Sequence, residues 1–215
     1  MVTSDRSIDT RIPPASQGHP WVAATYDFLN QWGERRVFAP LRHRLVGAVR
    51  GQVLELGAGT GANFAYYPAS ATIIATEPDP FMLARAQKRA GELGRAIGLC
   101  QCPAEALPFA DASFDTVVAT LVFCSVHDPM GALTEVRRVL KPTGTFRFIE
   151  HVRADGFSGR VQDVLTPVQQ RLGAGCHLNR RTASSIEAAG LAIVELERRP
   201  LPLTPLIIGV ARPRS

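Results

Sequence analysis

The run Val53-Leu54-Glu55-Leu56-Gly57-Ala58-Gly59-Thr60-Gly61 restricts the fold of this chain more than any other stretch. Its first part is nearly all apolar, as a strand covered on both faces should be. Three alternating glycines then read as a turn whose backbone can pass a ligand with no Cβ in the way. A helix is expected to follow the turn and to end at Pro68, its first N–H groups free to meet a polar ligand. Twenty residues after Gly57, a second apolar strand, Thr72 to Glu77, ends in a carboxylate. An acid in that position can accept both hydroxyls of a ribose, so the pair reads as a nucleoside cradle.

The remaining elements can be placed around this cradle. Trp21 to Val49 has helical spacing in two pieces separated by Pro40. Pro80 suits the first turn of a helix capped by Asp79, which continues through Met82, Ala86 and Ala90 to near Gly94. Ile97 to Cys102 and Phe114 to Leu121 read as strands three and four. Ala132 to Leu140 is a helix, Thr145 to His151 strand five, 158 to 172 an amphipathic helix, and Thr182 to Ala189 a further helix. Leu191 to Glu197 and Leu206 to Ala211 are strands six and seven. They are joined by a proline-rich loop with no room for a crossover helix, which makes them antiparallel neighbours. Strands that otherwise alternate with helices give an α/β fold with a mostly parallel sheet.

At 215 residues the chain is expected to form a single domain over 21–215, with 1–20 as a mobile tail, 21–50 as a helical cap and 156–181 as a lid over the substrate. A net charge of +5 is spread along the sequence, so a solvated surface is expected and no nucleic-acid partner. No transmembrane segment or signal-like apolar region is visible. The cysteines at 100, 102, 124 and 176 lack metal or redox spacing, so they read as reduced thiols of a cytoplasmic protein, with Cys124 and Cys176 as inert packing residues. Oligomeric state and peripheral membrane contact stay open.

The spacing Gly57-x-Gly59-x-Gly61, the single mononucleotide half and the terminal hairpin argue against NAD. Glu55-Leu56-Gly57-Ala58-Gly59-Thr60-Gly61, Glu77-Pro78-Asp79, Ala104-Glu105-Ala106-Leu107-Pro108-Phe109, Ser113-Phe114-Asp115-Thr116-Val117-Val118 and Arg138-Val139-Leu140-Lys141-Pro142 resemble the ordered motifs of the class I S-adenosylmethionine (SAM) methyltransferases. Thr120 to Val126, Phe148 to Val152 and Gly175-Cys176-His177-Leu178 carry a narrower resemblance, to the methyltransferase-like thiol S-methyltransferases. In animals these are membrane-associated enzymes that methylate alkyl thiols. The chain departs from that group in lacking a hydrophobic N-terminal anchor and in having Thr143 where the group has the first glycine of Pro-Gly-Gly.

The resemblance implies a Rossmann-like fold with helices on both faces of a seven-stranded sheet, and SAM as cofactor with S-adenosylhomocysteine as product. It implies that the Gly57, Ala58 and Gly59 backbone lies along the methionine part, with Glu55 facing the amino group. Glu77 takes the ribose, Pro78 and Met82 pack on the base, and Ala104 and Glu105 meet the adenine edge. Thr120, Leu121 and Val122 lie under the sulfonium, and Tyr26 closes over the cofactor. His151 and His127, near the carboxyl ends of strands five and four, are the candidate general bases. A small-molecule acceptor, a thiol or other compact apolar compound, is the leading expectation. Methylation of a phospholipid amine, quinone or sterol, and SAM binding without catalysis, are the other readings.

Overall fold

The computed structural model describes residues 34–172, 176–201 and 204–214. The expected 1–20 tail, the first piece of the N-terminal cap and Tyr26 lie outside the described residues. The strands are β1 (Gly51–Leu56), β2 (Ala71–Thr76), β3 (Ile97–Cys100), β4 (Phe114–Thr120), β5 (Leu140–His151), β6 (Leu191–Arg199) and β7 (Leu206–Pro213). They form one seven-stranded sheet in the order β3-β2-β1-β4-β5-β7-β6. β1 to β5 are parallel neighbours. β7 runs antiparallel to both β5 and β6, so the terminal hairpin expected from the proline-rich loop is present.

Five α-helices accompany the sheet among the described residues: α1 (Ala39–Val46), α2 (Pro80–Glu92), α3 (Pro129–Val139), α4 (Gly156–Leu172) and α5 (Thr182–Ala188). A π-helical turn, Glu34–Phe38, leads into α1, and Pro40 sits in the first turn of α1, where a missing N–H costs nothing. Side chains alternate across a strand, and β1 shows how this divides the core. Leu54 and Leu56 face one cluster with Leu133 and Val136 of α3 and Ile186 of α5. Val53 faces the other, with Leu41 and Leu45 of α1 and Ala86 and Ala90 of α2. Helices therefore cover both faces, and the apolar run of β1 is buried on both sides.

The helix expected after the glycine turn does not form. Only a 3-10 turn, Phe64–Tyr66, lies between Gly61 and Pro68. Gly57, Gly59 and Gly61 all have positive φ, which breaks the right-handed run. Asn63 turns inward to full burial, so the few residues left before Pro68 cannot nucleate an α-helix. The other differences lie at boundaries. β3 ends at Cys100, and α3 starts at Pro129 because the Asp128 carboxylate caps it, accepting the Met130 N–H at 3.0 Å. β5 begins at Leu140, which pairs with Phe114 before the register shifts. Thr143 is not among the described residues of positive φ, so that turn accepts a threonine without strain.

Candidate active site

The tips of β1, β2, β3 and β4 lie side by side, because parallel strands deliver their carboxyl ends to one edge of the sheet. At the first two tips, Glu77 is buried and braces the glycine turn. Its Oε2 accepts the Gly59 N–H at 2.8 Å and its Oε1 accepts the Asp79 N–H at 2.9 Å. Burial pushes the Glu77 carboxyl above its usual value, while these two N–H bonds pull it back. Each oxygen keeps acceptor capacity for a further donor. Asp79 caps α2, accepting the Phe81 and Met82 N–H groups at 2.8 and 3.2 Å, and leaves Pro78 and Met82 half-buried beside Glu77.

The turn itself offers close approach more than free donors. The Ala58 N–H is used by the Thr76 carbonyl, Gly59 by Glu77 and Gly61 by the Ala58 carbonyl. A Cβ on Gly57 would sit 2.9 Å from Val122, so the turn and the tip of β4 touch. A Cβ on Gly59 would meet nothing within 4 Å: the Gly59 backbone borders open space. An open backbone surface beside a buried carboxylate fits a nucleoside cofactor that lies along the chain. Replacing Gly59 by alanine is expected to cost only a few degrees in melting temperature, from a Cβ at φ +57°. The same change should reduce SAM affinity about tenfold or more by filling that space, as measured by calorimetry.

Beneath the turn lies a buried polar cluster. The Asn63 amide donates to Glu55 Oε1 at 2.8 Å and to Thr120 Oγ1 at 3.1 Å. The Arg42 guanidinium, from α1, donates to Asn63 Oδ1 at 2.9 Å and to Thr120 Oγ1 at 2.7 Å. Burial pushes the Glu55 carboxyl up to about 7, against the pull of Tyr67, Asn63 and Arg42. Tyr67 lies beside it, yet neither Glu55 Oε2 nor the Tyr67 hydroxyl meets hydrogen-bond geometry with any group. The orphaned Glu55 oxygen is a second feature that suits a cofactor carrying an amino group.

At the tip of β4, Leu121 takes φ +61°, a left-handed conformation that costs a branched residue on the order of 1–2 kcal/mol. Glu150 of β5 stabilises the bend. Its fully buried carboxylate accepts the Val122 N–H at 2.9 Å and the Phe123 N–H at 3.1 and 3.2 Å. From the other side, Arg180 donates to the Phe123 and Val126 carbonyls. Glu105, after β3, accepts the His127 and Asp128 N–H groups at 2.9 and 3.1 Å, so its Oε1 ties the β3 loop to the β4 loop. Ala104 beside it is buried. Arg138 of α3 fixes the rest of that loop through the Leu107 and Phe109 carbonyls.

The two histidines are not brought together. His127 is exposed. His151 ends β5 with its ring 6.2 Å from that of Phe38, its Nδ1 buried without a partner. Burial lowers its pKa to about 4, so it is a neutral imidazole near pH 7. An NMR titration of the His151 ring should show no step between about pH 6 and 7, where free histidine titrates, and a midpoint near 4. A midpoint above 6 would contradict the buried placement.

Residues 54–148 match the model of a methyltransferase domain. A rat protein named thiol S-methyltransferase TMT1B is 40% identical over 169 residues, covering 74% of this chain and 69% of that protein. Its human namesake is 35% identical over 184 residues, 82% of this chain and 74% of the relative. The chain belongs to the class I SAM-dependent methyltransferases, in the thiol S-methyltransferase group. Its fold agrees with that of solved methyltransferases. The 1,6-didemethyltoxoflavin N1-methyltransferase of Burkholderia thailandensis, crystallised with S-adenosylhomocysteine, is 20% identical with a TM-score of 0.65, over 91% of this chain and 86% of that one.

In this methyltransferase, Gly57, Ala58, Gly59, Glu77, Pro78 and Met82 gather at the tips of β1 and β2, with Ala104, Glu105, Thr120, Leu121 and Val122 at the neighbouring tips. Reading the sequence did not find Arg42, Asn63 or Arg180. Arginine and asparagine read by default as surface residues, and nothing in the local pattern marks Arg42 and Asn63 as buried. No helix among the described residues is long and apolar enough to cross a membrane.

Proposed function

We propose that this methyltransferase acts on a compact thiol, with the cofactor held along the tips of β1 to β4. In this reading Glu77 accepts the ribose hydroxyls, and the open backbone at Gly57, Ala58 and Gly59 runs along the methionine part, above Glu55. Pro78, Met82, Ala104 and Glu105 flank the base. Thr120, Leu121 and Val122 lie beneath the sulfonium, and Tyr26 covers it. SAM supplies a methyl group on a positively charged sulfur, ready for in-line displacement.

The observation that carries the thiol reading is how little basic capacity the acceptor end has. Burial raises the Glu150 pKa well above the usual carboxylate value, but the group is fully enclosed and both its oxygens are held by the Val122 and Phe123 N–H groups, and His151 is a weak base at about 4. A thiol of pKa about 8.5 is already a few per cent thiolate near neutrality and needs orientation more than deprotonation. Holding it in line is worth on the order of 7–11 kcal/mol. An aliphatic alcohol would need a strong base. The names of the rat and human relatives support the same acceptor. Segment 156–181, made of α4 and the stretch before α5, is the proposed lid over the acceptor, and residues 21–50 form the cap. The free thiols suit a reducing cytoplasm.

The test is a panel of alkyl thiols, phosphatidylethanolamine vesicles and quinols, followed by S-adenosylhomocysteine release and product mass. Thioether formation from the thiols is the expected result. Turnover of the lipid amine or quinol alone would overturn the thiol assignment. Cofactor binding without turnover on any acceptor would point to a binding protein.

A further inference from the structure

Cys124 and Cys176 lie on two segments that the structure seams together. Cys124 is buried in the bend after β4. Its carbonyl accepts the His177 N–H at 2.7 Å, and Arg180 donates to the carbonyls of Phe123 and Val126 on either side of it. That bond brings Cys176, the residue before His177, alongside Cys124, and a disulfide needs Cα atoms ~4.4–6.8 Å apart. Across this seam the two thiols are near enough to shift each other's titration, and both are free.

We propose that Cys124 and Cys176 are a redox modification site, which low-molecular-weight disulfides convert to an intramolecular disulfide. This revises the expectation that both are inert packing residues. Cys176, half-buried, is the entry point. The Cys124 thiol beside it lowers its pKa and Arg180 helps, against burial and the Glu150 charge. Cys124, whose thiol donates to the Leu121 carbonyl at 3.4 Å, is driven the other way, first by the neighbouring Cys176 thiol and then by burial, with Ser125 and Arg180 opposing.

The Cys176 thiolate attacks one sulfur of the incoming disulfide RSSR. The S–S bond breaks, RS⁻ leaves and takes up the proton that Cys176 lost, and a mixed disulfide remains on Cys176. The Cys124 sulfur then attacks the Cys176 sulfur, its proton passing to the second departing RS⁻. Two cysteine thiols are oxidised by two electrons in all, and one RSSR is reduced to two RSH. The bridge ties the bend that carries Leu121 and Val122 to the stretch before α5. On the proposed reading of 156–181 as a lid, it would hold that lid down, but the site itself does not depend on that reading or on the acceptor.

The test uses the reduced full chain with oxidised glutathione as the probe, quenched by acid, alkylated and mapped by peptide mass. The expected product is the Cys124 peptide joined to the Cys176 peptide with loss of two hydrogens, reversed by dithiothreitol. Cys124→Ser should stop at a glutathione adduct on Cys176, and Cys176→Ser should leave Cys124 unmodified. Any of three results with the natural chain overturns the proposal: both thiols alkylated, a lasting glutathione adduct on Cys176 without a bridge, or a bridge confined to Cys100 and Cys102.

Discussion

Replacing Arg42 by alanine is expected to lower the stability of the protein by about 3–5 kcal/mol, the range for removing one partner of a buried charged network. For a chain of this size that is a fall of about 10 °C in melting temperature, measurable by calorimetry. The guanidinium donates to both Asn63 and Thr120, and its charge is one of the forces opposing the rise of the Glu55 pKa. Without it, Asn63 Oδ1 loses that donor and Glu55 is left more costly to ionise. A loss under 1 kcal/mol would mean that the cluster is relaxed or wet. Glu55 also gives this cluster a pH signature. Its folded pKa of about 7 lies above the ordinary 4.5, so between these values the folded chain binds more protons than the unfolded one. Stability from this group is therefore full below about 4.5 and is lost as pH rises through about 7, with a total near 3 kcal/mol. Urea unfolding at about pH 5 and about pH 8 should show that loss in the natural chain and a smaller one in Glu55→Gln.

Glu77→Ala should weaken SAM binding by about tenfold or more, since hydrogen bonds to a charged acceptor are worth on the order of 1.5–3 kcal/mol each. The structure adds a second reason. The same carboxylate holds the Gly59 N–H, so alanine removes a ribose acceptor and also releases the turn that the cofactor follows. Glu77→Gln, which preserves shape but not charge, should fall between the two. Unchanged affinity for Glu77→Ala by calorimetry would remove Glu77 from the site.

The strands were legible because both faces of this sheet are covered. Val53 to Leu56 and Phe114 to Thr120 have little choice but continuous apolar runs, and prolines between β6 and β7 leave only a hairpin. The acid at Glu77 was legible because its position at a strand tip is set by chain length. The missing helix was not. Glycines that suit a phosphate-type turn usually open a helix, and here the left-handed glycines and the inward fold of Asn63 stop it. The supports of the site were hidden for a related reason. Arg42 reaches Thr120 across 78 residues of sequence, Arg180 reaches Phe123 and Val126 across 57 and 54, and Glu150 reaches Val122 and Phe123 across 28 and 27. No local periodicity encodes such pairings, since each depends on which strand tips the sheet order makes neighbours.

β7 follows β6 in the chain but lies between β5 and β6 in the sheet. During synthesis, β6 therefore has no edge to join until β7 has been made, whereas β1 to β5 can pair with one another beforehand. The half of the sheet that bears the glycine turn can assemble on a nascent chain whose other half still has an open β5 edge. Such an edge is a template for pairing with other chains, so the interval between making β5 and making β7 is when this protein is most exposed to misassembly. Slowing translation after β5 should lower the soluble yield more than slowing it before β1.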